Sequence, residues 1–354
     1  MKHKSKVPGT KVDYIIVGQG LAGSWLAFEM LKRGLSIHVF NEDKEATSTK
    51  KAAGLYNPIT GRNMIKTWRA DDFFPSLERN YEELEKEVGM RFIHPVRIYR
   101  PFKTIEDRND WDGKASDPGY GIYLSEFRDK SMGLEHVNDA LGGIVLNHSG
   151  YIDLSFMLKS VQSHLIDKGV YTSEVFDYDM IEMNSDWVSY KDYSAAKIIF
   201  CEGSLSANPY WQQLPFRPVR GEVIDIQCDL NSNFIINQGV FMIPKQGRFT
   251  VGSTYDHKNL VFEPQESGIK SLEERLKKLY TGAYRIIEKR AGVRPATHDR
   301  KPYIGLHHAY KKLGIFNGFG TKGVSLTPYF AKHFVDVLQG KSELDKEVNV
   351  QRVL

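Results

Sequence analysis

The stretch VDYIIVGQGLAGSWLAFEMLKRGLSIHVFN, residues 12–41, constrains the fold more than any other part of the chain. Val12 to Val17 form an apolar, β-branched run of strand length that ends at a glycine, and the residues beyond it carry apolar side chains at helical spacing as far as Gly34. SIHVFN then alternates small or polar with apolar residues, as a second strand does. Strand, tight turn, helix and strand make a βαβ unit, whose right-handed crossover sets the two strands parallel. The turn reads G-x-G-x-x-G through Gly18, Gly20 and Gly23. The first glycine permits the sharp bend, the second lets a pyrophosphate approach the backbone, and the third lets the helix pack closely. A helix opening at Leu21 and Ala22 turns its positive end toward those phosphates. Placed inside a βαβ unit, the pattern predicts a bound dinucleotide. The acidic residue that usually meets the ribose hydroxyls falls at the end of the second strand, where Asn41 and then Glu42 stand, and we expect one of these two in that role.

The chain has 354 residues, enough for about two domains at roughly 100–200 residues each. With 41% hydrophobic and 26% charged residues, its composition excludes disorder and collagen. No stretch approaches the ~18 consecutive apolar residues of a spanning helix, and the opening MKHKSKVPGT has no apolar run behind it, so neither anchor nor signal peptide is expected. Cys201 and Cys228 are too few for a disulfide framework or a four-cysteine zinc site, although one bridge stays open; a cytoplasmic setting and no metal are expected. Forty-eight Lys+Arg against 44 Asp+Glu leave +4, which permits anionic substrates without demanding nucleic acid.

Farther along, Ala70–Val88 reads as one or two helices, RFIHPVRIYRPF as strand, and the span from Lys103 to Ser149 as short strands and loops. IDLSFMLKSVQSHLIDKG predicts a helix capped by Asp153 and stopped at Gly169, leading to the strand AAKIIFCEG. Val219 to Tyr255 carry β patterns of an antiparallel sheet, EERLKKLYTGAYRIIEKR reads as a helix, LGIFNGFG as a buried strand ending in glycines, and SLTPYFAKHFVDVL as a closing helix. The expectation is an α/β (α+β overall) chain: a Rossmann-like nucleotide domain from 10–85, 150–215 and 290–354, interrupted by a mostly antiparallel substrate domain from 86–149 and 216–289.

Five blocks in order then resemble the glycine oxidase / D-amino-acid oxidase superfamily of FAD-dependent amine oxidoreductases. After the βαβ unit comes STKKAAGLYNP, whose Ala52, Ala53 and Gly54 match the segment that brings backbone against the flavin. IIFCEGSLS, with Gly203, matches a strand ending in A-T-G; PVRGEV matches P-x-R-G-Q; FMIPKQGRFTVGSTYD matches a strand pair. AGVRPATHDRKPYIG followed by GIFNGFGTKGVSLTP matches the closing G-x-R-P block and the glycine-rich flavin loop through Gly318, Gly320, Thr321, Lys322, Gly323 and Val324. The resemblance implies the fold named above with FAD as cofactor, Val175 and Arg294 among the residues around it, and Lys322 as a positive charge near the flavin ring where reduction builds negative charge. Some relatives attach flavin through a histidine ahead of the A-G segment or a cysteine near the carboxyl end; Lys50 and Lys51 precede Ala52 and neither cysteine lies near the closing loop, which implies non-covalent FAD.

For the substrate, the resemblance implies a carboxylate held by Arg294, because a planar guanidinium suits a paired contact. The family's partner tyrosine is replaced by Phe241, leaving Tyr255 or Tyr303 as substitutes and Lys245, Arg248 and Arg62 as further cations. The implied reaction is hydride transfer from the carbon beside a neutral amine of a small amine or amino acid to the flavin N5, followed by imine hydrolysis, with catalysis mainly by positioning. The electron acceptor (oxygen, quinone or protein) and the oligomeric state are not legible. Two other readings stay open. The closing motifs also resemble the oxidase domain of the bifunctional tRNA wobble-uridine modification enzyme, and the basic, aromatic TGRNMIKTWR is a segment able to meet phosphates. A flavin-binding or electron-transfer subunit without amine turnover is the reading of another class.

Overall fold

The β-branched run at the start folds as strand β1 (Thr10–Val17), with Ile15, Ile16 and Val17 fully buried, in a computed structural model that describes residues 9–61, 64–203 and 208–354. Helix α1 (Leu21–Lys32) follows the glycine turn and β2 (Ile37–Asn41) lies parallel to β1, with Tyr14 opposite Ile37. β3 (Tyr171–Ser173) joins the outer edge of β2, β4 (Tyr193–Phe200) pairs with β1 over its whole length, and β5 (Leu313–Asn317) pairs with the second half of β4. The five strands run parallel in the order β3-β2-β1-β4-β5, and the short strands Val188–Tyr190 and Ile181–Met183 extend the sheet antiparallel beside the first half of β4. Strands covered on both faces read as continuous apolar runs, as VDYIIV, KIIF and LGIF do. Val12, Ile15, Val17, Phe40, Ile198, Phe200 and Ile315 form one core with Trp211 and Tyr303, each fully buried side chain worth about 1.5–3 kcal/mol. Helix α2 (Gly323–Leu338) returns from β5 and packs along α1.

The chain divides into two units. The first comprises residues 1–49, 158–219 and 294–354; the second comprises 50–157 and 220–293. The second is built on an eight-stranded sheet that is largely antiparallel, with a parallel pairing where Ile98–Pro101 meets Ile235–Gln238. Helix Glu266–Leu279 lays Ile269, Leu272, Leu276 and Leu279 onto Ile224, Ile226, Ile236, Met242 and Val251 of that sheet. Their alternation, with every second residue apolar, is the period-2 pattern of a strand covered on this face.

Several sequence expectations change. Residues 50–85 and 150–157 group with the second unit, because the apolar stripe of the single helix Ala70–Val88 packs against Ile93–Pro95. The segment EERLKKLYTGAYRIIEKR is not one helix: the helix ends at Leu279, and Tyr284–Arg294 is an edge strand of the sheet. Gly282 breaks the helical run, and pairing at the sheet edge holds the residues beyond it extended. Within 103–149, Ile105–Ala115 is a helix capped by Thr104, whose side chain accepts from Asp107 N. Its lone buried residue, Trp111, leaves no periodicity to read. Cys201 and Cys228 are both free thiols.

Candidate functional site

Three adjacent parallel strands of the first unit end in a glycine turn on the same edge of the sheet: β1 at Gly18, β4 ahead of Gly203 and β5 at Gly318. Crevices at the carboxyl ends of parallel strands are where open α/β sheets take their ligands. All three glycines have positive φ, at 96°, 75° and 84°. A methyl group on Gly18 would lie 2.8 Å from the Cys201 carbonyl oxygen, and one on Gly23 would collide with the Gly18 carbonyl oxygen, so protein backbone enforces both residues. Gly20 differs: its nearest neighbour for a methyl is Thr49 Oγ1 at 3.6 Å, an ordinary contact. No protein atom requires a glycine there, which leaves open backbone for an incoming group. Thr49, which lies in the STKKAAGLYNP block but is not singled out within it, also accepts from Leu21 N at 3.3 Å. Ala22 and Gly23 complete the first turn of α1, the cationic end of a helix dipole.

The second glycine loop meets the first. A methyl on Gly323 would stand 3.1 Å from Leu21 Cδ2, so the N-termini of α1 and α2 lie side by side. Asn317, buried at the end of β5, accepts from Gly318 N at 2.7 Å and donates to Gly203 O at 2.8 Å, tying two of the three turns together. Sequence reasoning missed it, although an asparagine just before a glycine turn is a usable signal. Gly320 N donates to Pro295 O at 3.1 Å, and the Gly320 Cα faces Ala296. The GVRPA segment therefore runs against the glycine loop, with Arg294 just before the contact. Thr321 is exposed, and Val324 is buried in the first turn of α2. Lys322 is half-buried at the helix start, and lost hydration lowers its pKa to about 8.

At the end of β2, Asn41 Oδ1 accepts from Gln19 N at 2.8 Å, while Glu42 pairs with Lys44 at 2.6 Å. Val175, just after β3, is 68% exposed. In the second unit, Ala52 is exposed and Ala53 buried, and a methyl on Gly54 (φ 81°) would collide with the Ile152 carbonyl oxygen, so protein backbone enforces that glycine. Lys245 Nζ donates to Ala53 O at 3.3 Å and stands 4.8 Å from the centre of the Tyr151 ring; burial lowers its pKa. Phe241 is half-buried opposite Gly252.

Some proposed residues fall elsewhere. Tyr303 is fully buried, its hydroxyl donating to Pro215 O at 3.2 Å and Arg352 lying over its ring, which makes it a core residue and not a substitute for the missing tyrosine. Tyr255 is 63% exposed. Arg248 is exposed and lies 3.6 Å from Asp225. Arg62 lies outside the described residues, and two other cations of that basic segment are already paired: Lys66 with Asp71 at 2.7 Å and Arg69 with Asp72 at 2.6 Å. Among the described residues, no group of three metal-ligating side chains gathers, and no helix is long and apolar enough to cross a membrane.

Residues 13–337 match the family described as FAD dependent oxidoreductase, DAO. The chain belongs to that family. It is 28% identical over 369 residues to the glycine oxidase of Pseudomonas aeruginosa, covering 93% of this chain and 95% of that one. With the bifunctional protein ThiO/ThiG of Trichormus variabilis it shares 22% identity over 94% of this chain but 53% of the relative, so it spans about half the length of the first curated relatives it matches. The crystal structure of glycine oxidase from Geobacillus kaustophilus superposes with a TM-score of 0.80 at 20% identity, over 97% of this chain and 99% of that chain, which shows a shared fold. The first unit fits FAD on its own terms: open backbone at Gly20, two apposed helix N-termini for the pyrophosphate, and a partly desolvated lysine beside them.

Proposed function

We propose that the chain oxidises the C–N bond of a small amine or amino acid, with FAD held non-covalently by Gly18, Gly20, Leu21, Ala22, Gly23, Val175, Gly203 and the Gly318–Val324 loop of the first unit. The observation that carries this reading is the apposition of the two glycine turns at one sheet edge, with the GVRP arginine threaded against the second. FAD, when bound, supplies the two-electron acceptor. The chain's own residues do the rest: Arg294 engages the substrate carboxylate, and Lys322 presents a positive charge beside the second turn. The small-molecule reading is favoured over a tRNA substrate by the pairing of Lys66 and Arg69 with neighbouring aspartates, which takes up charge that phosphates would need.

Anaerobic titration of the flavin-loaded protein with glycine, sarcosine, proline, D-amino acids and under-modified tRNA tests the reading. Bleaching by one of the amino acids is expected; bleaching by the tRNA alone would replace the substrate, and a flavin reduced only by a partner protein would point to an electron-transfer subunit. Arg294→Lys is expected to raise KM for a carboxylate substrate about 100-fold, because an ammonium loses the paired geometry.

A further inference from the structure

Asn41 occupies the position where a dinucleotide fold usually sets a carboxylate; its amide hydrogens are committed to the protein, and Oδ1, which already takes one bond, offers a neutral acceptor that is weaker than a carboxylate. Its Oδ1 accepts from Gln19 N at 2.8 Å, and its Nδ2 donates to Asp43 Oδ1 at 2.9 Å and to the Tyr171 hydroxyl at 3.1 Å. Both amide hydrogens are thereby used. Glu42 is turned to Lys44. The next carboxylate, Asp43, stands about twenty residues beyond Gly23, the spacing at which the ribose acceptor is found. It is held by four neutral donors. Oδ1 accepts from Asn41, from Gln162 Nε2 at 2.9 Å and from the Tyr171 hydroxyl at 2.7 Å, and Oδ2 accepts from Ser173 Oγ at 2.7 Å.

A carboxylate offers about four acceptor positions, two on each oxygen. Oδ1 is saturated, while Oδ2 keeps room for another donor. Burial alone would raise the Asp43 pKa, but the hydrogen bonds from Tyr171, Ser173, Asn41 and Gln162 outweigh it and hold the group below the ordinary carboxylate value, so it stays ionised at neutral pH. Burial, then the hydrogen bond to Asp43 and its charge, push Tyr171 up to about 12, against the opposing hydrogen bonds from Asn41 and Gln162. Glu174 N donates to Asn41 O at 2.9 Å, which brings Val175 and its exposed apolar surface next to the same strand end. A charged acceptor with a spare lone pair thus adjoins an uncovered apolar side chain, the two chemistries that a ribose and its purine present.

We propose that Asp43, rather than Asn41 or Glu42, accepts the ribose hydroxyls of the adenylate half of FAD, and that Asn41 is the positioning residue that braces Asp43 against the glycine turn through Gln19 N. The proposal rests on the reading of the first unit as the FAD-binding unit. It makes Gln19–Asn41–Asp43 a continuous link between the pyrophosphate turn and the ribose, so that one carboxylate displaced by two residues retains the function of the usual one.

Calorimetric titration of the apoprotein with ADP and with 2′,3′-dideoxy-ADP tests it without any turnover. The native apoprotein is expected to prefer ADP by about tenfold or more, the range for hydrogen bonds to a charged acceptor. Asp43→Asn is expected to lose that preference while binding the dideoxy compound as the native protein does. Asp43→Ser, a small polar replacement at an exposed position, supplies the same comparison should the asparagine variant not fold. A variant that keeps the native preference, or one that weakens both compounds by one factor, would overturn the proposal; the second result would assign Asp43 to bracing the loop alone. Native apoprotein that binds neither ADP nor FAD would instead refute the reading of the first unit.

Discussion

The two glycine turns of the first unit serve one edge of the sheet but are held by different means. At the amino end, backbone meets backbone: Gly18 faces the Cys201 carbonyl and Gly23 faces that of Gly18, so the turn is rigid before any ligand arrives. At the carboxyl end, the Asn317 side chain adds to the backbone bonds from Gly320 to Pro295 and from Lys322 to Phe319, and the turn carries a lysine that is partly stripped of water. The first turn is a matter of shape and the second of charge. A chain that has to bind a polyanion and also tune a ring that gains charge has reason to separate the two tasks.

The sharpest way to break this contrast is Gly23→Ala. Its methyl has no space without moving β1 or α1, so stability is expected to fall by more than about 4 kcal/mol, with FAD binding lost along with it, as measured by chemical denaturation and flavin fluorescence. Asn317→Ala comes next. It removes one buried and one partly buried hydrogen bond, for a loss of about 2–3 kcal/mol, and FAD binding is expected to weaken while the amino-terminal turn persists. Lys322→Met should separate charge from shape. The flavin potential is expected to drop by about 30 mV, equivalent to about 1.4 kcal/mol for a two-electron couple, with FAD still bound. In the apoprotein the same substitution acts in the opposite direction at neutral pH. Because folding lowers the Lys322 pKa to about 8, the unfolded chain retains a proton that the folded chain has shed between pH 8 and 10.5. Native stability therefore rises across that window relative to Lys322→Met, and denaturation curves of both proteins at pH 7 and pH 10 read the crossing. Gly320→Ala is the mildest change. Its methyl meets Ala296 at 3.4 Å and its φ is 53°, so only about 1–2 kcal/mol is expected, chiefly from the left-handed backbone.

The first unit was largely legible because each signal was local. A β-branched run, three glycines and a helical period lie within residues 12–34, and Asp153 and Gly169 bound their helix as the sequence suggests. The second unit was less so. Its order depends on pairings between strands far apart in the chain, such as Ile98 with Ile235, which no window of residues announces. The residues Tyr284–Arg290 read as helix in the sequence because their charged side chains are good helix formers, and only pairing at the sheet edge overrides them. At the site, Arg294 and the closing glycines were found through a resemblance across the whole chain, whereas Asn317, Thr49 and Asp43 act through contacts that only the folded chain creates.

Strand β5 supplies the last of the three turns, and its residues 313–317 lie near the far end of the chain. During translation the amino-terminal turn leaves the ribosome some three hundred residues before its counterpart is made. Capture of the nucleotide is thereby deferred until synthesis of the first unit is nearly complete, and nascent chains halted before Leu313 should remain colourless.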